Sequence, residues 1–151
     1  MWRQPCRDFL RGAAALAMFA GCTLASNHHH LNGSWQLIPA RSEFHGESVI
    51  QSGTVTIDDR QGNIYISRNF SYDGANQSTT STFSTDARER TSIKEPGFKT
   101  KTQWTGDVLE VTTTRDGATS VERYSLRGDG TMVLMIERPG HTLETLLFQR
   151  Q

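Results

Sequence analysis

The sequence has little cysteine: only Cys6 and Cys22, both within the first 22 of its 151 residues. The remainder therefore has no disulfide framework, and its stability has to come from a packed core. Proline is scarce too, at 4 residues beside 13 glycines and 35% apolar residues, a balance that separates the chain from disordered and collagen-like sequences. An excess of one charge is also missing, since 16 Lys and Arg balance 16 Asp and Glu. Setting aside Arg3, Arg7, Arg11 and Asp8 near the N-terminus leaves 13 bases against 15 acids. A nucleic-acid partner calls for surplus Lys and Arg to displace counterions from phosphate, so none is expected, and charge alone gives no attraction to a membrane. Sustained 3.6-residue apolar periodicity is absent after the first 22 residues, which excludes a helical domain and leaves one helical turn, near Pro39 to Glu47.

The one notable apolar run, Gly12 to Ala20, is nine residues long, too short for an anchor helix. It follows the basic segment 1–11, and the two together read as a signal peptide. Within it Phe19-Ala20-Gly21-Cys22 resembles the bacterial lipobox, departing from it at Phe19, where the family carries an aliphatic residue. The resemblance implies that Cys22 is acylated, with chains such as palmitate, and becomes the first residue of the mature protein. Several acyl chains exceed what stable membrane anchoring needs. Thr23, in place of Asp after the cysteine, is similar to lipoproteins sorted to the outer membrane and facing the periplasm. A plain secretory cut after Ala25, behind Thr23-Leu24-Ala25, is the alternative. The chain thus divides into a signal peptide and lipobox over 1–22, a polar tether over 23–32 and a folded domain over 33–151.

The domain reads as all-β throughout. Turn signals recur about every ten residues, at Gln61-Gly62-Asn63, Asp73-Gly74, Gly106-Asp107, Asp116-Gly117, Gly128-Asp129-Gly130 and Pro139-Gly140. Between them apolar residues alternate with polar ones, the period of a sheet with one face on a core. Ile64, Ile66, Phe70 and Tyr72 share one face, and Phe98, Thr100, Thr102 and Trp104 another. The expected strands are 33–38, 49–58, 63–72, 77–85, 88–94, 98–105, 107–114, 118–126, 130–137 and 141–149. Successive hairpins of this kind predict an antiparallel up-and-down barrel of about 8–10 strands, closed so that no edge is exposed.

Asn32-Gly33-Ser34-Trp35-Gln36-Leu37 resembles the Gly-x-Trp opening of the calycin group, the lipocalins and fatty-acid-binding proteins. The continuation Ile38 to Phe44 is similar to small bacterial lipocalin-like domains of uncharacterised function. The resemblance implies a lipocalin-like barrel closed at one end by Trp35 beside Gly33. It also implies a basic residue from the last strand packed on that ring, for which Arg150 is placed suitably and Arg138 competes. The chain departs from lipocalins in its shorter length, its lack of their disulfide cysteines and the missing C-terminal helix.

Arg68 occupies the period-two position between Ile66 and Phe70 and so projects inward. A buried guanidinium needs a partner. Either it meets a ligand carboxylate, or it reaches water at the rim or pairs with a Glu such as Glu110 or Glu122. Phe70, Phe83, Phe98 and Trp104, interleaved with hydroxyl residues, either line an apolar ligand pocket with Arg68 or fill the barrel. His28, His29 and His30 are metal-ligand types, but consecutive residues of an extended chain cannot face one ion and no carboxylate or thiol lies at useful spacing, so no metal site or other cofactor is expected. No nucleophile motif or phosphate loop is present, and no residues form a legible catalytic set. The expected function is a lipid-anchored envelope binding module for a small hydrophobic or amphipathic ligand. The alternative is a structural lipoprotein with a filled barrel whose surface or edge strand binds an envelope protein.

Overall fold

The computed structural model of the chain describes residues 28–45 and 49–151. The signal peptide and lipobox, Cys22 itself, the cut after Ala25 and the first part of the tether lie outside the described residues. Ten strands follow one another: β1 (Gly33–Leu37), β2 (Ser52–Arg60), β3 (Asn63–Tyr72), β4 (Ala75–Ser84), β5 (Arg90–Thr91), β6 (Phe98–Thr105), β7 (Val108–Arg115), β8 (Ala118–Leu126), β9 (Met132–Glu137) and β10 (Glu144–Arg150). They form one antiparallel sheet in the order β4-β3-β2-β1-β10-β9-β8-β7-β6-β5, so chain neighbours pair and β1 joins the two halves through β10. At Gln61-Gly62 and Asp116-Gly117 both turn residues have positive φ, the backbone of a two-residue hairpin whose twist matches its strands.

The sheet curls until β4 comes alongside β6, but no ladder joins β4 to β5 or β6 among the described residues. The expected closed barrel is therefore a curled half-barrel. The difference lies in the fifth strand, expected over 88–94 and formed only at Arg90–Thr91. The segment before β6 is charged and exposed, with Arg88, Glu89, Arg90, Lys94 and Glu95, and supplies no alternating apolar face. At the start of β5 Arg90 donates to both Asp86 oxygens at 2.7 Å, closing a local turn just ahead of the strand.

Inward residues of every long strand form the core. Leu31, Trp35, Val55, Ile64, Leu109, Tyr124, Met132, Leu134, Leu146 and Phe148 are completely buried, each contributing about 1.5–3 kcal/mol by leaving water. β9 is buried on both faces at Val133 and Leu134, as its continuous apolar run requires. Beyond β1 the chain makes a 3-10 turn at Pro39–Arg41 and rejoins β10, where Glu43 bridges Thr145 and Ser42 accepts from the Leu147 amide at 3.0 Å.

The last part of the expected tether, residues 28–32, is folded onto the domain. A 3-10 turn at His29–Leu31 buries Leu31 completely, and its carbonyl accepts the Trp35 indole N–H at 2.8 Å. His28 stacks on Trp104 with ring centroids 4.2 Å apart, and His30 donates from Nε2 to the Asp107 carbonyl at 3.0 Å. A polar, aperiodic segment hides such anchors because each acts through a single residue.

Candidate ligand cavity

The two ends of the curled sheet differ. At one end Trp35 lies beneath the Arg150 guanidinium, 4.3 Å from the ring centroid. Arg150 in turn donates to the carbonyls of Asn32 (2.7 Å) and His30 (2.9 Å), which ties the last strand to the chain entering the first. Gly33 belongs to the same closure: its φ is +128°, and a Cβ there would stand 2.8 Å from Arg150 Nη1. Arg138 lies elsewhere, paired with Glu144.

At the other end the core gives way to a cavity of about 450 Å³, lined by Ile50, Phe70, Tyr72, Leu134 and Ile136 on its apolar sides and by Arg68, Glu122, Arg138, Glu144, His141, Gln77 and Thr79 on its polar ones. The register explains the mixture. β3 pairs continuously with β2 and β4, with no bulge to rotate Arg68 outward, so it follows Ile64 and Ile66 onto the inner face. Across the interior, β8 places Glu122 opposite Ile136 and Val111, again on the inner face.

Arg68 and Glu122 meet as a fork. Nη1 donates to Glu122 Oε1 at 3.1 Å, Nη2 donates to Oε2 and to the Tyr124 hydroxyl, and that hydroxyl donates to Oε2 at 3.1 Å. Burial on its own would lower the Arg68 pKa, but the attraction of Tyr124 and Glu122 and their hydrogen bonds outweigh it and hold the guanidinium charged. Burial pushes the Tyr124 phenol well above its ordinary range, and the neighbouring Glu122 charge pushes in the same direction, so the hydroxyl stays neutral and available as a donor. The Nε–H of Arg68 is buried with no partner among the described residues. A second pair, Arg138 to Glu144 at 2.9 Å, completes the charged lining.

Of the residues expected to bind a ligand, the structure brings Arg68 and Phe70 to the cavity and leaves the other three outside it. Phe83 packs on the core beside Ile64. Phe98 is covered by the Arg115 guanidinium, 5.2 Å from its centroid. Trp104 belongs to the packed end, beneath His28 and His30. All three share the inner face with Phe70, but the strand period specifies a face and not a height within the curl. His141, which the sequence presents as an isolated loop or surface residue, lines the cavity with Ile136 and Glu144; Glu144 has a signal in the sequence, since it precedes Leu146, Phe148 and Arg150 at period two.

Phe70 depends on a glycine. Gly53 lies opposite it in the ladder, and a Cβ there would come within 2.2 Å of Phe70 Cδ1. The missing side chain lets the ring lie flat against β2 as a cavity wall.

No family model and no curated protein sequence matches this chain. Solved structures do. The fluorescent protein UnaG, wild type, superposes with a TM-score of 0.60 at 14% identity, over 80% of this chain and 96% of that one. A Schistosoma mansoni fatty acid binding protein in complex with arachidonic acid gives 0.59 at 14% identity, over 81% and 96%. Secretory abundant heat soluble protein 4 from Ramazzottius varieornatus gives 0.58 at 12% identity, over 80% and 94%. The fold is thus that of the fatty-acid-binding, calycin-like β-barrels.

Proposed function

We propose that this protein is a binding module of the bacterial cell envelope, held to the membrane by acyl chains on Cys22, that takes a small hydrophobic or amphipathic molecule into the half-open end of its sheet. The observation that carries the reading is the cavity itself, its volume of about 450 Å³ falling in the range of small-molecule sites, with an apolar side of Ile50, Phe70, Leu134 and Ile136 facing a charged and hydrogen-bonding one. The neighbour crystallised with arachidonic acid supports it as an analogy of fold. The lipobox-like Phe19-Ala20-Gly21-Cys22 and the following Thr23 support an outer-membrane lipoprotein facing the periplasm.

Native mass spectrometry of the protein, purified without delipidation, tests the binding reading. An adduct lost on denaturation supports it and gives the ligand's mass. A protein that is bare, and stays bare after exposure to fatty acids and small amphipaths, sinks it.

One observation favours a protein partner as a second reading. β4 ends the sheet with ten residues that carry no charge and no proline; most of them are exposed, and although the curl brings β4 alongside β6, no ladder takes up its outer edge among the described residues. Natural edge strands are usually protected by charges or proline, so an unprotected one is suited to receiving a strand from a partner.

A further inference from the structure

The cavity has matched charges. Apart from His141, its charged lining is Arg68 with Glu122 and Arg138 with Glu144, two pairs whose members already hold each other. Among the described residues a carboxylate entering it finds no Arg or Lys without an acidic partner, and His141 alone stands outside the two pairs. The carboxylate must either displace Glu122 from a two-pronged contact or lie beside an intact, neutralised pair, leaving a desolvated anion without compensation.

Unused hydrogen-bonding capacity remains at the same place. A carboxylate offers about four lone-pair sites. Glu122 uses three, for the two Arg68 nitrogens and the Tyr124 hydroxyl. Arg68 uses three of its five N–H groups, one on Nη1 and two on Nη2; its Nε–H is covered by protein, which leaves the second Nη1–H of this part-exposed side chain as the spare donor. An acceptor site and a donor thus remain together on a floor of zero net charge. Further in, Tyr124 and Leu134 are completely buried and close the way toward the Trp35 end, so head and tail together have only the cavity of about 450 Å³ to occupy, which favours a short tail.

Resting on the reading of this cavity as a ligand site, we infer that it takes a short amphipath of no net charge whose head both donates and accepts hydrogen bonds, such as a primary amide or an alcohol, in preference to a free fatty acid. The head sits over the Arg68–Glu122 pair, and the tail lies against Phe70, Ile50 and Ile136.

The test compares octanamide, 1-octanol and octanoate, ligands of equal chain length that differ in the head. Their binding to the full chain carrying Cys22→Ser, which needs no detergent, is measured by calorimetry at neutral pH. The amide is expected to bind at least tenfold more tightly than octanoate, with the alcohol also ahead of octanoate. In Glu122→Gln, which leaves the Arg68 charge unanswered, the ratio should fall at least tenfold or invert. The wild-type comparison stands without that variant should it fail to fold. Octanoate binding most tightly to the wild-type floor would overturn the inference and leave the cavity a ligand site. Binding of none of the three would overturn both.

Discussion

Replacing Trp35 by alanine tests the packed end of the molecule. The indole is completely buried, donates to the Leu31 carbonyl at 2.8 Å and carries the Arg150 guanidinium 4.3 Å above its ring. Truncating an aromatic of this kind costs about 3–5 kcal/mol through lost burial and the cavity left behind. The buried Leu31 carbonyl loses its partner, adding about 1 kcal/mol. The stacked guanidinium, which is partly exposed, adds about 0.5–1 kcal/mol. Part of the last two terms is already contained in measured truncation costs, so the total is about 4–6 kcal/mol. Urea unfolding followed by far-ultraviolet circular dichroism reads it directly. Trp35→Phe should recover much of the loss, and Arg150→Ala in both backgrounds isolates the stacking as a coupling of about 0.5–1 kcal/mol. A loss below about 1 kcal/mol for Trp35→Ala would refute the closure of this end by Trp35.

Other consequences concern the floor, the wall and the leader. The Arg68 and Glu122 side chains retain 22% and 21% exposure, so Arg68→Met alone should cost about 2–4 kcal/mol, at the low end for broken buried pairs. The double variant Arg68→Met/Glu122→Leu should be close to wild type in urea, and two additive losses would deny the pairing. The Tyr124 pKa is raised above its ordinary 10.0, so above that pH the unfolded chain binds fewer protons than the native one. Stability should therefore be full below pH 10 and fall above it, with a slope approaching about 1.4 kcal/mol per pH unit. Tyr124→Phe should remove that component of the slope, and an identical pH profile would count against it. Gly53→Ala should swing Phe70 off β2 and cost about 1–3 kcal/mol, with a changed near-ultraviolet spectrum; an unchanged spectrum and stability would mean that the ring has room to spare. Cys22→Ser should abolish labelling by a palmitate analogue and release the protein from membranes, and unaltered partitioning would end the lipoprotein reading.

Much of the fold was legible because a sheet repeats every two residues and its turns are chemically distinctive. Asp116-Gly117 and Gln61-Gly62 mark hairpins whatever surrounds them, and the alternation of Ile64, Ile66, Arg68 and Phe70 specifies a face before any neighbour is known. Height within the curl is another matter. Phe70 and Phe83 are both inward residues on adjoining strands, yet one walls the cavity and the other packs on the core. That division depends on which distant strands the curl brings across, information no single strand contains. The fifth strand shows a second limit, because the charged, exposed segment around Arg88, Glu89 and Arg90 offers no apolar face to extend the ladder, and a count of turn spacings cannot see it. His28 and Leu31 show a third, since isolated anchors have no period.

Followed from the packed end toward the open one, several strands change character at a similar level. β3 runs Ile64, Ile66, then Arg68; β8 runs Tyr124, then Glu122; β10 runs Phe148, Leu146, then Glu144. Each change places a charge on the inner face where another aliphatic residue would have continued the core. Such a layer is not the most stable choice, because paired charges taken from water often do no better than apolar side chains of equal volume. Apolar residues at these positions would extend the core into the cavity. The paired charges stop it there and leave hydrogen-bonding groups on the surface where it stops. If stability alone had shaped these strands, Arg68→Met/Glu122→Leu would be an improvement at no loss; if the cavity is what they maintain, the same variant should keep its stability and lose its preference for an amide over a carboxylate.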